Sequence, residues 1–321
     1  MQKNRFFLYA GGIFLTYFYF GILQEKITRG KYPSEVLNED GTKTVEYEKF
    51  TYTLVLVFVQ CAVNYVVAKT AATLWPQGED STKSLYYVSM SVTYLLAMIG
   101  SNMALRWVPY PTQVVGKSAK PIPVMLLGVL VGRKSYPLKK YVFVFLIVLG
   151  IVLFMLKDKA SNQIQDTSFG VGELLLVLSL IMDGLTGAVQ ERIRAESKPT
   201  GIQMMVVANA WCTLFLGITL LISSEYIYFY AFAVKYPSVL TNLFLLGLTS
   251  AVGQLFLYSM VSEFGPLVVS VVTTTRKFFT VLASVLFFGN VISGRQWIGA
   301  VVVFAALFLD AYYSKSQPKK K

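Results

Sequence analysis

The sequence predicts an all-α integral membrane protein of about ten transmembrane helices, arranged as two inverted five-helix repeats. Three observations carry that prediction. Of the 321 residues, 55% are hydrophobic and 14% charged, whereas a soluble domain devotes about a quarter of its residues to charge. Mean hydropathy is +0.56, and the apolar runs repeatedly reach the ~20 residues that a helix needs to cross a bilayer. Two of these runs, in opposite halves of the chain, each carry a pair of cations near the middle.

Charge and composition narrow the function before any motif is read. The net charge is +12, from 29 Lys and Arg against 17 Asp and Glu. In a soluble chain that balance would point to nucleic acid. In a membrane chain part of it gathers at helix ends, so no nucleic-acid partner follows. Histidine is absent, which removes imidazole acid–base chemistry, His metal sites and His proton relays. The two cysteines, Cys61 and Cys212, fall in separate apolar runs and read as small core residues without disulfide framework or zinc spacing. The sequence contains no Walker loop, Asp-x-Asp pair, dinucleotide fingerprint or nucleophile elbow. The chain therefore reads as no enzyme, with no catalytic residue, cofactor or metal. Its N-terminus, MQKNRFF, lacks a small-residue cleavage site, and the first apolar run is expected to remain as a span.

In chain order the predicted spans are 6–23, 51–74, 84–105, 111–131, 138–156, 171–190, 203–223, 239–260, 266–288 and 296–313. Mostly short connections make neighbours antiparallel. Span one ends in Gln24-Glu25-Lys26, which on physical grounds is an ordinary solvated helix end. The longest connection, 24–50, balances Glu25, Glu35, Glu39, Asp40, Glu46 and Glu48 against its bases. Asn64, Asn102, Asn209 and Gln254 are amides in mid-span, a residue type that serves more often as interhelical glue than as ligand. Gln254, beside Gly253, is the best placed of them for a site. Span six holds the clearest buried carboxylate, Asp183. It reads either as a fixed partner for a lysine or as a packing anchor beside Gly184 and Gly187.

Lys and Arg set the orientation. Arg133, Lys134, Lys139 and Lys140 follow span four, Arg192, Arg194 and Lys198 follow span six, and Lys315, Lys319, Lys320 and Lys321 form the tail. The opposite loops are balanced: Lys157 and Lys159 flank Asp158, and Glu225 shares a loop with Lys235. Both termini are expected on the cytosolic side, in agreement with an even number of spans.

Span four is the unusual one. Tyr110 to Tyr136 reads YPTQVVGKSAKPIPVMLLGVLVGRKSY, with Lys117, Lys120, Pro121 and Pro123 near its middle. A cation there costs about 2.5–3.5 kcal/mol on insertion scales. The prolines withdraw the amides that the carbonyls of Lys117 and Ala119 would have used. Gln113 precedes Lys117 by one turn, and Lys120 shares its face. Span nine echoes the pattern. Phe264 to Asn290 reads FGPLVVSVVTTTRKFFTVLASVLFFGN and carries Arg276 and Lys277. Superposed, Ala119-Lys120 falls on Arg276-Lys277, Lys117 on Thr274 and Gly132 on Gly289. Thr273, Thr274 and Thr275 are expected to bond back to their own helix, with Thr274 as the candidate contact.

Five spans separate the two segments, and an odd offset inverts a repeat, which divides the chain into 1–157 and 158–321. Charged, proline-broken helices at matching positions of inverted halves point to a secondary transporter's central site. At 1.5 Å per residue, Lys117 and Lys120 lie roughly 9–14 Å into a helix that starts at Pro111, and Arg276 and Lys277 about 15 Å in from Pro266. One or two acids cannot neutralise four such bases, so part of the charge is expected to await an anionic ligand. A structural protein that binds lipid headgroups would instead place its cations near the bilayer surface.

The segments GKSAKPIPVMLLG (116–128) and TTTRKFFTVLASV (273–285) resemble solute carrier family 35, the nucleotide-sugar transporter group of the drug/metabolite transporter superfamily. YFYFGILQEKITRGKY (17–32), YPTQVVGKS (110–118), GELLLVLSLIMDGLTG (172–187) and LFLLGLTSAVGQ (243–254) place the resemblance in its B subfamily, over nearly the whole chain. The resemblance implies a ten-helix inverted repeat with both ends cytosolic, and phosphate binding at Lys117, Lys120, Arg276 and Lys277. It raises Glu25 from a solvated helix end to a gate or ligand contact. It further implies an endoplasmic-reticulum carrier that exchanges cytosolic ATP for lumenal ADP, with UDP-galactose or UDP-glucose as the alternative. At the tail the chain departs from the family: Lys319 is third from the end, but Pro318 stands where the retrieval signal has its other lysine.

A nucleoside triphosphate brings about four negative charges and a UDP-sugar two, so four cations match the first better. The expected substrate contacts are Lys117, Lys120, Arg276, Lys277, Gln113, Glu25, Thr274 and Gln254.

Overall fold

The structure is a computed structural model that describes residues 2–28, 30–37, 43–104, 107–108, 113, 116–155, 170–287 and 294–316. Helix accounts for nearly all of it: α1 (Gln2–Thr28), α2 (Thr53–Leu74), α3 (Ser84–Ala104), α4 (Pro121–Leu130), α5 (Leu138–Met155), α6 (Val171–Glu196), α7 (Gly201–Ser223), α8 (Glu225–Lys235), α9 (Ser238–Phe264), α10 (Pro266–Phe287) and α11 (Gly294–Ser316). The tail lysines Lys319 to Lys321, residues 157–159 and Gly289, expected to match Gly132, lie outside the described residues.

Among the described residues, α1, α2, α3, α6, α7 and α9 are long and apolar enough to cross a membrane. Their outward side chains are themselves apolar, among them Leu15, Leu221 and Phe244. Water would make such a surface an aggregation liability, whereas lipid tails solvate it. The chain is a multi-pass membrane protein.

The elements form two compact units, one of residues 1–80 with 200–259 and the other of 81–199 with 260–321. Each unit therefore draws helices from both halves of the sequence.

In the first unit, α2 packs on α7, with Cys61 and Cys212 both buried. Tyr17 and Thr16 of α1 lie over Gly253 of α9. The stretch 24–50, a bare connection in the sequence reading, here lengthens α1 through Gln24, Glu25 and Lys26 to Thr28 and then forms an antiparallel hairpin. Strand β1 (Tyr32–Leu37) pairs with β2 (Lys43–Glu48), Tyr32 opposite Glu48 and Leu37 opposite Lys43. Residues 225–235, likewise expected as loop, form α8. Aromatic rings join these pieces: Phe232 of α8 stands 5.0 Å from Tyr32, 6.0 Å from Phe50 and 5.2 Å from Tyr52 between centroids. The Lys235 ammonium pairs with Glu48. Glu225 Oε1 accepts the amides of Leu54 at 2.9 Å and Val55 at 3.1 Å, so a carboxylate caps the positive end of α2. A surface cavity of about 670 Å³ against α8, lined by Tyr226, Tyr230 and Leu240 among others, holds none of the candidate residues.

In the second unit, α3 packs on α6, α4 on α6, and α5 on α11. Its core joins α4, α5, α10 and α11 through Val124, Ile147, Phe154, Val271, Phe278 and Val303. Phe154 meets Phe278 edge-on at 4.9 Å. Lys140 Nζ lies 2.6 Å from Asp310 Oδ2, which binds the start of α5 to α11.

Candidate functional site

The predicted fourth span is not one continuous helix. Residues 116–118 form a short helical turn, Ala119 and Lys120 a bend, and α4 begins afresh at Pro121. The prolines are thus positions one and three of a new helix, where the first amides have no intrahelical partner in any case. Nor are the carbonyls of Lys117 and Ala119 orphaned, as the sequence predicted. Lys120 N reaches Lys117 O at 3.4 Å, and Ile122 N reaches Ala119 O at 3.0 Å. These are three-residue rather than four-residue bonds, the tighter winding that absorbs a break. Because Pro121 and Pro123 have no N–H and Ile122 N is engaged, the first turn of α4 offers an anion few amide donors. Recognition there falls to side chains.

Asp183 of α6 reaches both lysines of the break. Its Oδ2 lies 2.6 Å from Lys117 Nζ, and its Oδ1 lies 2.8 Å from Lys120 Nζ. Lys117 Nζ also donates to Ser179 Oγ at 2.5 Å, and Ser179 Oγ in turn donates to Ala97 O of α3. The side chains are 13% exposed for Lys117, 9% for Asp183 and 37% for Lys120. A close helix approach makes this possible. A Cβ on Gly184 would stand 2.8 Å from Pro123 O and 2.7 Å from Leu127 Cδ1, so a larger residue would hold α6 off α4. Both readings of Asp183 are realised: it pairs with lysine, and its neighbour Gly184 is a packing position. The sequence left open whether an acid would meet any of the four bases; here Lys117 and Lys120 share one carboxylate.

The other pair of cations sits on α10, which packs against α4, α5 and α6. Lys277 follows Arg276 on this helix. Among the described residues no carboxylate is within ion-pairing distance of it. Among the described residues, Lys117 and Lys120 thus share the one carboxylate of Asp183.

The start of α10 is held by a second ionic cluster. Glu191, whose side chain is 5% exposed, accepts Arg194 Nη1 at 3.1 Å, with Lys134 Nζ at 3.8 Å and Tyr136 Oη at 3.4 Å. Arg194 also donates to Ser262 O at 3.0 Å and Glu263 O at 3.2 Å. Gly265 turns the chain at φ +96°, and a Cβ there would stand 2.7 Å from Arg194 Nη1. Position 265 thus needs glycine on two counts. Burial, followed by the Glu191 charge and hydrogen bond, holds the Tyr136 hydroxyl above its ordinary pKa.

The sequence model of the UAA transporter family matches residues 5–314. The chain belongs to the UAA transporter family. Its relatives include the solute carrier family 35 member B1 homolog of Drosophila melanogaster, 57% identical over 318 residues that make up 99% of this chain and 93% of that one. Solute carrier family 35 member B1 of Bos taurus is 51% identical over 309 residues, 96% and 93% of the two chains. That of Danio rerio is 50% identical over 321 residues, 99% and 94%. A solved crystal structure of 11% identity superposes with a TM-score of 0.64 over 96% of each chain, a likeness of fold.

In this UAA-family chain Lys117, Lys120, Arg276, Lys277 and, on α10, Thr274 all belong to the second unit. Thr274 is buried, while Thr273 and Thr275 donate back to Val269 O and Val271 O. Gln113 Nε2 donates to Ser101 O and Oγ of α3 at 3.0 Å. Glu25 and Gln254 belong to the first unit. Glu25 is exposed on the last turn of α1, and Gln254 Oε1 accepts Asn209 Nδ2 at 2.9 Å. The glue reading thus describes Asn209 and Gln254. It fails for Asn64, which is buried with neither amide atom hydrogen-bonded among the described residues. Sequence reasoning missed Ser179 and the Glu191 cluster. Signals for both were present: Ser179 is one turn from Asp183, and Glu191 precedes Arg194 by three residues.

Proposed function

We propose that the protein is a secondary-active nucleotide antiporter of the endoplasmic reticulum membrane that exchanges cytosolic ATP for lumenal ADP by alternating access. This reading takes the chain as ten spans in two inverted repeats, 1–157 and 158–321, with both termini cytosolic. The observation that carries it is that two lysines of the break, Lys117 and Lys120, share the single carboxylate of Asp183, with Lys277 on the helix packed against them and without an ion-paired carboxylate among the described residues. Cations held this way call for a phosphorylated ligand, and membership of a transporter family supports a carried one. Gln113, Thr274, Glu25 and Gln254 complete the proposed contacts.

The charge also accounts for exchange rather than leak. To switch sides empty, the carrier would have to occlude uncompensated cations, each costing several kcal/mol after relaxation. A bound polyphosphate compensates them, so passage of one nucleotide requires the return of another. Asp183 favours the second reading, a UDP-galactose or UDP-glucose transporter, because its carboxylate lowers the charge that the ligand must meet.

Uptake of labelled ATP into ADP-loaded liposomes, with UDP-sugars as competitors, separates the readings. ATP uptake that depends on internal ADP and resists UDP-sugars is the expected result. Uptake driven by internal UDP-sugar or its nucleotide product, with ATP inert, would reverse the assignment.

A further inference from the structure

We propose that Ser179 is a positioning residue of this site, one that holds the Lys117 ammonium so that one of its N–H bonds stays available to a phosphate oxygen. The proposal rests on the nucleotide-carrier reading above and goes beyond it by naming the group that prepares a phosphate contact.

The two lysines at the break are held differently. Lys120 is 37% exposed and meets one oxygen of Asp183, at 2.8 Å. Lys117 is 13% exposed and has two acceptors, Asp183 Oδ2 at 2.6 Å and Ser179 Oγ at 2.5 Å. Both acceptors stand on one face of α6, four residues apart. A lysine ammonium carries three N–H donors. Among the described residues these two acceptors engage two of them, which leaves the third for the oxygen of an anionic ligand.

Ser179 can act in this way because its own proton is already committed. A hydroxyl has one proton to donate and lone pairs with which to accept. That proton goes to Ala97 O of α3 at 2.5 Å, so the oxygen meets Lys117 with a lone pair. The side chain is completely buried, and bonds to both sides fix its orientation where no water competes. A chain of hydrogen bonds thus runs from the α3 backbone through Ser179 to the ammonium beside the break. Lys120, with its longer exposed stem, reaches a ligand by swinging. Lys117 is set in place beforehand and gives up little rotamer freedom when the ligand binds.

The test uses purified full-length protein and ADP, with Kd values from calorimetry. Ser179→Ala is expected to weaken ADP about tenfold, the scale of one hydrogen bond to a charged group. Ser179→Cys, similar in size but a weak acceptor, is expected to weaken it as much. Ser179→Thr, which keeps the hydroxyl, is expected to bind as wild type does. The deciding comparison is made in Lys117→Met, which has no N–H to orient and leaves Asp183 paired with Lys120. In that background Ser179→Ala is expected to change nothing further.

A serine that merely joins α6 to α3 would weaken ADP equally with lysine or methionine at position 117, and that result would overturn the proposal. So would a wild-type Kd in Ser179→Ala. Exchange in ADP-loaded liposomes gives an independent reading, in which Ser179→Ala is expected to raise KM about tenfold and keep the maximal rate. A lower maximal rate at unchanged KM would also overturn it. Wild-type protein that binds no nucleotide would overturn the carrier reading together with this one, whereas nucleotide binding that is insensitive to Ser179 overturns this one alone.

Discussion

Gly184 of α6 and Pro123 of α4 meet backbone to backbone, so closely that a Cβ on the glycine would stand 2.8 Å from the proline carbonyl oxygen. This contact sets the spacing at which Asp183, beside Gly184, pairs with Lys120, three residues before Pro123. Gly184→Ala should force the helices apart. Overpacking of this kind costs about 1–3 kcal/mol, so a lower melting midpoint is expected together with weaker nucleotide binding. A variant with wild-type values for both would show that the approach is dispensable.

The cation pairs should act jointly. Lys120→Ala,Lys277→Ala removes one arm from each of the two cation pairs, and hydrogen bonds to charged groups are worth about 1.5–3 kcal/mol each. Exchange in nucleotide-loaded liposomes should fall by about a hundredfold or more. Net uniport by this variant at the wild-type exchange rate would contradict the account of exchange given above.

Glu191 gathers Arg194, Lys134 and Tyr136 at the base of α10. Removing one member of a buried ionic set strands the others, at a cost of about 3–5 kcal/mol. Glu191→Gln should therefore destabilise strongly, and addition of Arg194→Met should recover part of the loss. Greater loss in the double variant would show that the arginine's bonds to Ser262 and Glu263 dominate.

Tyr136 gives this cluster a pH signature. Its hydroxyl is held above the ordinary value of 10.0 by burial and then by Glu191, so the fold binds the protonated form more tightly than the unfolded chain does. The contribution is whole below about pH 10 and is lost as pH rises beyond it. The stability difference between wild type and Tyr136→Phe should be level from pH 6 to 9 and shrink above 10. A difference that drops below pH 9 would mean that another group is responsible.

Asn64 is 1% exposed, and neither amide atom is hydrogen-bonded among the described residues. An unsatisfied buried amide costs about 1–3 kcal/mol. Asn64→Leu, which keeps the number of side-chain heavy atoms and removes the polar ones, should raise the melting midpoint. A fall would mean that the amide finds a partner when the protein is at work.

Much of the helical framework was legible in the sequence because lipid leaves the backbone few options. Apolar runs of spanning length must be helices, and six of the ten predicted spans reappear with the length and composition to cross. The hairpin was missed although Asp40-Gly41 lies between two short runs containing Val36, Val45 and Tyr47, the pattern of a tight hairpin. Helix α8 was missed because its 11 residues are too few to span.

The sequence by itself determined that cations would fall in apolar segments at Lys117, Lys120, Arg276 and Lys277, because composition is a property of a single segment. Only the tertiary structure decided which of them are answered. Asp183 lies 63 positions beyond Lys120 in the chain, and its 2.8 Å contact depends on how closely two helices pack, a distance that no one segment encodes. Local chemistry sets what each helix carries, and packing between helices sets which charges cancel.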